Sequence, residues 1–350
     1  LYRGAKIQGR RFTGFVSWDG VARWLRLQRP DAIKISDATR QEALRVAGNA
    51  SEDERALKLM EVLARDLGSF PGAPPPLWRA GLPPVDSVLK NQKANPSRRG
   101  LVLVALLAAA GIEAYPAMFS YRDHDVISPD APTIRAIDGI AAYVPRSKGA
   151  LILDPNQLTV SSEVVSPRLM GTRLVVAKGD AAEVVRAPSG EPERSKTAVR
   201  YDLKLDARGD VFGSLEAKLT GAEAGALRAA LSEVTPEKYS EVTSAFLKSR
   251  GVPFALDSVS IADRNALRRP LSLTAQVNVR GVVEGEATEV NLASVKIVGL
   301  DTEAPAEVRR SPLLLGAPAL VEIRGTLTLP EEWEHSFIPP GVQSRWAGGE

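Results

Sequence analysis

Residues 99–120 read RGLVLVALLAAAGIEAYPAMFS, and this stretch decides the architecture. From Leu101 to Ile112 no residue is charged. Asn95-Pro96 stands just upstream. Asn caps helices well, and Pro suits the first helical position because its missing N–H has no intrahelical partner to lose. A helix is therefore expected to start there, and one that is apolar all round must be buried. Residues 114–121 follow as a strand. The apolar run is the longest in the chain, yet shorter than the ~18 residues that suggest a membrane span.

Upstream of this helix the pattern predicts three more. Ser17-Trp18-Asp19 opens the first, with Val21, Trp24, Leu25 and Leu27 as its apolar face. The second spans 36–47. The third begins at the capping box Ser51-Glu52-Asp53-Glu54, and Leu57, Met60, Leu63, Ala64 and Leu67 recur at helical spacing. Residues 1–16 are basic, with a strand near 11–16. Residues 68–84 hold Pro74-Pro75-Pro76 and read as an extended loop. A helical turn follows at 86–90. Downstream, strands are expected at 139–144, 150–153 and 173–177.

The second half changes character. Val199, Tyr201, Leu203 and Leu205 alternate with Arg200, Asp202, Lys204 and Asp206. Ala207-Arg208-Gly209-Asp210 turns the chain, and 211–219 returns as a hairpin. Helices near 222–234 and 236–249 follow. Further strands are expected at 255–261, 272–283, 289–298 and 322–329.

Bulk properties narrow the function classes. The 350 residues are 44% hydrophobic and 25% charged, which predicts packed cores in about two domains. The net charge is +3. Arg98-Arg99, Arg268-Arg269 and Arg309-Arg310 read as isolated, solvated pairs, so no nucleic-acid partner is expected. With no Cys, disulfides and thiolate metal sites are excluded. His124 and His335 are too few for a His-rich metal site, and no P-loop or dinucleotide fingerprint occurs. No metal or cofactor is expected. The residues from Leu1 onward carry no signal-peptide pattern, as in a mature or trimmed form.

Several short pieces occur in a characteristic order: SWDGVARW at 17–24, LVALL at 103–107, GIEAYP at 111–116, LDP at 153–155 and LTLPEEW at 327–333. Together they resemble bacterial proteins that join a domain of unknown function, a transglutaminase-like domain of the papain-like cysteine protease fold, and a C-terminal β-rich domain. The resemblance covers nearly the whole chain and implies an α+β fold. Residues 1–16 would be the residual strand of a missing N-terminal β-domain. Residues 17–180 would form the transglutaminase-like domain. Residues 181–350 would form a mostly antiparallel β-sandwich-like domain with an inserted helical pair near 222–249. The end at Trp346–Glu350 falls before the final strands expected from the family, so either terminus is read as open.

The family's chemistry needs a Cys at a helix N-terminus, a His on the following sheet and an Asp that orients the His. Its helix opens with a Gly-Asp-Cys-Lys-Asp-Lys type run; here Ala94-Asn95-Pro96-Ser97-Arg98-Arg99 stands instead. Aligned without gaps, the Cys position falls on Pro96, the His position on Gly139 and the Asp position on Asp154. Neither Pro nor Gly supplies a nucleophile or a base. The resemblance thus implies a degenerate member, a pseudoenzyme that serves as a protein-binding or scaffolding module. A protein or peptide partner follows, as does a periplasmic or cell-surface site in the bacterial envelope. Two alternatives stay open: a serine-dependent hydrolase or acyl transferase built on Ser97, His124 and Asp154, and a structural subunit of an envelope or motility assembly.

Each remaining candidate has a plainer reading. A Ser in a first helical turn commonly bonds backbone there. His124 lies in the polar loop Tyr121-Arg122-Asp123-His124-Asp125 and reads as solvated. Asp154-Pro155 is a common turn starter. Asp123, Asp125 and Asp130 could offer oxygen ligands to a cation but lack calcium-loop spacing. Arg208-Gly209-Asp210 is expected to be a turn, and Asn49-Ala50-Ser51 a helix cap rather than a glycosylation acceptor.

Overall fold

The computed structural model of the chain describes residues 2–7, 10–27, 33–69, 84–157, 159–161, 163–281 and 316–333. The proline segment at 70–83, the strand expected at 289–298, Arg309-Arg310 and His335 lie outside these residues.

A hairpin of β1 (Tyr2–Ile7) and β2 (Arg10–Phe15) stands where one strand was expected. Helix α1 (Trp18–Leu27) follows, and Ser17 Oγ accepts from the N–H of Gly20. Its buried side is Trp18, Val21, Ala22 and Leu25, the i, i+3, i+4, i+7 stripe. Leu27 falls off that stripe and is 61% exposed. Helices α2 (Asp37–Ala47) and α3 (Glu52–Asp66) are capped by Ser36 and Ser51; the Ser51 cap was expected from its capping box. Short β3 (Gly68–Ser69) and β4 (Lys93–Ala94) flank α4 (Val85–Asn91) and pair in parallel.

Helix α5 (Pro96–Ala109) is the central element, with every residue from Ser97 to Leu107 buried. Asn95 caps it by accepting the N–H of Arg98 at 2.9 Å. The first sheet comprises β5 (Tyr115–Phe119), β6 (Gly139–Pro145), β7 (Ala150–Leu153), β8 (Arg173–Lys178) and β9 (Ala181–Arg186). Its order is β7-β6-β5-β8-β9, antiparallel throughout. On one face Leu101 of α5 and Val21 of α1 meet Met118, Ile140 and Val175. Helices α2 and α3 pack on α5 from outside, Ala43 and Ala47 of α2 and Leu57 and Leu63 of α3 sharing one core with Leu103 and Leu107. Ala117, Phe119, Ala141 and Val176 face the other way and meet Leu169. Gly100 lets α5 approach β6: a Cβ on it would overlap the Ile140 carbonyl and lie 2.8 Å from the Ile140 Cβ.

The first sheet therefore runs through Arg186, past the division expected at 180/181. Helix α1 holds β9 in place: Asp19 Oδ1 accepts the N–H of Ala182 at 2.7 Å, and Arg26 pairs with Asp180 at 2.6 Å. Neither tie is visible locally, because more than 150 residues separate the partners.

The second sheet comprises β10 (Lys196–Leu205), β11 (Val211–Leu219), β12 (Leu256–Ala262), β13 (Leu271–Val279) and β14 (Leu320–Thr328). Its order is β12-β13-β11-β10-β14, antiparallel except for the parallel pair β10–β14. The expected helical pair, α6 (Gly221–Ser232) and α7 (Tyr239–Lys248), is inserted between β11 and β12. Leu227, Leu231 and Leu247 of that pair cover Leu203, Leu215 and Leu273. The alternate residues Arg200, Asp202, Lys204, Glu216 and Lys218 are exposed. Among the described residues, helices thus form the layer over this sheet's apolar face.

The two halves are tied by charge. Arg268 pairs with Glu54 at 2.6 Å and Glu61 at 2.9 Å, both on α3. It is a bridge between halves, where the sequence alone suggested a solvated pair with Arg269. Among the described residues, no helix is long and apolar enough to cross a membrane.

Candidate functional site

Asp154 directly follows β7 beside the N-terminus of α5, with Tyr121, just past β5, within its electrostatic reach. Asp154 is 3% exposed. Its Oδ1 accepts the backbone N–H of Asn156 at 3.0 Å and the Asn156 side-chain amide at 2.8 Å. The same amide reaches the Pro96 carbonyl at 3.4 Å. Asn156 therefore stitches the Asp154 turn to the first turn of α5, bringing Pro96 and Asp154 together.

Arg98 and Arg99 depart from expectation. They are 5% and 2% exposed, so the solvated reading is overturned. Arg99 donates to the Pro155 carbonyl at 3.3 Å and to the Leu67 carbonyl. These carbonyls, distant in sequence, help satisfy a buried Arg whose donors would otherwise lose water. Burial pushes the Arg98 guanidinium down to about 10, which leaves it charged at neutral pH.

Burial raises the Asp154 carboxyl above the usual carboxylate range, against the opposing pull of Asn156, Arg168 and Arg99. The sign of the consequence is definite. An unfolded Asp titrates near about 3.9. With the folded value higher, the native state binds more protons between the two values, so this group's contribution falls as pH rises through them. Asp154→Asn removes that dependence. Urea unfolding at about pH 4 and about pH 7 should show the variant gaining stability relative to the parent as pH rises.

Gly139 opens β6 directly opposite Phe119 of β5. A Cβ at 139 would stand 2.6 Å from Phe119 Cζ, with both Cε atoms within 3.2 Å. Phe119 is fully buried, so its ring fills the space any side chain at 139 would need. The ring packs on Tyr121 at 4.9 Å between centroids, and the Arg168 guanidinium lies 3.7 Å from the Tyr121 ring centre. Burial raises the Tyr121 phenol, and the Asp154 carboxylate adds to the shift.

His124 belongs to a different constellation. Its Nδ1 lies 3.0 Å from Asp138 Oδ2, which also accepts from the Tyr121 N–H at 2.8 Å and the Ser120 hydroxyl at 3.2 Å. Ser97 is buried in the first turn of α5. No hydrogen bond among the described residues joins Ser97, His124 and Asp154; Asp154 takes Asn156, and His124 takes Asp138.

The minor candidates resolve simply. Asp123 pairs with Arg168 at 3.0 Å. Among the described residues, no group of three or more His, Asp or Glu is placed to hold a metal ion. Arg208-Gly209-Asp210 sits at a hairpin tip, where Asp206 Oδ1 accepts from the N–H groups of Arg208 and Asp210, both at 2.9 Å. Ser51 accepts from Glu54 as a cap.

Sequence reasoning missed Phe119, Asn156 and Tyr121. The register of β5 on β6 would have placed Phe119 against Gly139, but register is not written in either strand alone.

No family model matches this chain, and no curated protein matches it. Among solved structures, a crystal structure described as a "putative protease" from Parabacteroides distasonis is similar with a TM-score of 0.43 and 14% identity. The alignment covers 80% of this chain and 62% of that one, so this chain spans less than two thirds of that protein's length.

Proposed function

We propose that this protein is a catalytically inactive member of the transglutaminase-like group, acting as a protein-binding or scaffolding module in the bacterial envelope. One observation carries the reading. At Gly139, where the resemblance puts the general base, the ring of Phe119 already fills the room for a side chain. The rest of the cleft is consolidated to match. Pro96 stands where the nucleophile would be, and Asn156 bonds both its carbonyl and the Asp154 carboxylate. A carboxylate held this way has no imidazole to orient. Acyl transfer needs an activated nucleophile and its base together. The envelope location and the protein partner rest on the resemblance alone.

Hydrolysis of amide and ester substrates, and acyl transfer to amines, should stay at the uncatalysed rate for the parent chain and for Ser97→Ala alike. Turnover by the parent that Ser97→Ala abolishes would replace this reading with the serine-dependent one.

A further inference from the structure

Beside the consolidated cleft, where β5 ends and β8 begins, lies a pocket of about 540 Å³. Its lining includes Arg122, Arg173 and Arg186, with Asp125 as the one carboxylate. The lining thus has a surplus of two positive charges. Several other arginines, among them Arg26, Arg146, Arg168, Arg250 and Arg268, pair with a carboxylate. None of the three pocket arginines does so among the described residues. Arg173 donates to the backbone carbonyl of Ile127 at 3.3 Å. The Nε of Arg122 is buried without a hydrogen-bond partner. A buried charged donor left unsatisfied is costly, and Arg55 Nε, outside the pocket, shares this state, so it is the surplus charge and the cavity that point to a ligand. Val126 and Met170 add apolar wall.

We infer that this pocket binds a small organic dianion, a phosphate monoester or a dicarboxylate, through Arg122, Arg173 and Arg186. Planar guanidinium forks match the oxygen pairs of carboxylates and phosphates. The cavity volume is of the size that takes a small molecule, and the surplus charge matches two negative charges on the ligand. The apolar wall accommodates a carbon skeleton beside the charged head. This inference does not rest on the inactive-cleft reading, because the arginines are separate from Pro96, Gly139 and Asp154.

The test uses the whole chain with inorganic phosphate and succinate as probes, read by calorimetry and by thermal shift. A dianion should bind saturably, and its thermal stabilisation should rise with concentration. Arg186 is exposed, so Arg186→Gln will fold. It should weaken binding by roughly tenfold or more, as expected for losing one charge-assisted contact. Lys218→Gln, on the exposed face of the second sheet, should leave binding unchanged. Tighter phosphate would identify a phosphate monoester site, and tighter succinate a dicarboxylate site; both support the inference. No saturable binding of either probe up to ~10 mM would overturn it, since that corresponds to less than about 3 kcal/mol of affinity. So would binding that Arg186→Gln leaves untouched.

Discussion

Gly100→Ala is expected to destabilise the fold by about 3 kcal/mol or more, the upper range for forcing a methyl group into a packed core. The added Cβ would overlap the Ile140 carbonyl, which belongs to the backbone of a central strand and cannot rotate away. Relief requires α5 to lift off β6. That would disturb Leu101 against Ile140 on the sheet side and Leu103 and Leu107 against α3 on the other. For a domain of this size, thermal unfolding should come about 6–12 °C earlier. A variant that unfolds within a degree of the parent would mean that the helix does not sit on the sheet as described.

Arg250→Ala is expected to cost about 3 kcal/mol, the loss seen when one member of a buried ion pair is removed. Arg250 donates to both oxygens of Glu223 at 2.7 and 2.9 Å. The side chains are only 13% and 6% exposed. Thr197 also donates to Glu223, at 2.8 Å, anchoring α6 to β10. Removing Arg250 strands a carboxylate in the core of the second half. The double variant Arg250→Ala, Glu223→Gln should recover most of the loss, because the amide carries no charge to desolvate. Denaturant midpoints of both variants decide this. An undiminished cost in the double variant would place the effect in packing and not in charge.

Much of the frame is legible in the chain itself. Asn95-Pro96 announces the start of α5, Ser51 announces that of α3, and the alternation of 199–205 announces β10, because caps and periodicity are local properties. The same rule explains what was hidden. The sequence AAEVVR of β9 alternates weakly, and its place is set by Asp19 on a helix far back in the chain. Arg98-Arg99 looks solvated until carbonyls from Leu67 and Pro155 come to it. At the candidate site, the absent thiol and the glycine at 139 can be read directly. The occupant of the space they leave cannot, because it depends on which β5 residue faces Gly139. His124 pairs with Asp138, fourteen residues on, a contact made by the turn of β5 into its following loop.

The central claim is that this cleft holds no working nucleophile, and a covalent trap tests it most directly. The intact protein would be incubated with a reactive acyl-phosphonate that labels activated serines and a chloromethyl ketone that labels activated histidines, then weighed by mass spectrometry. The account predicts an unchanged mass with both reagents. An adduct that maps to Ser97 or His124, and that disappears in Ser97→Ala, would contradict it.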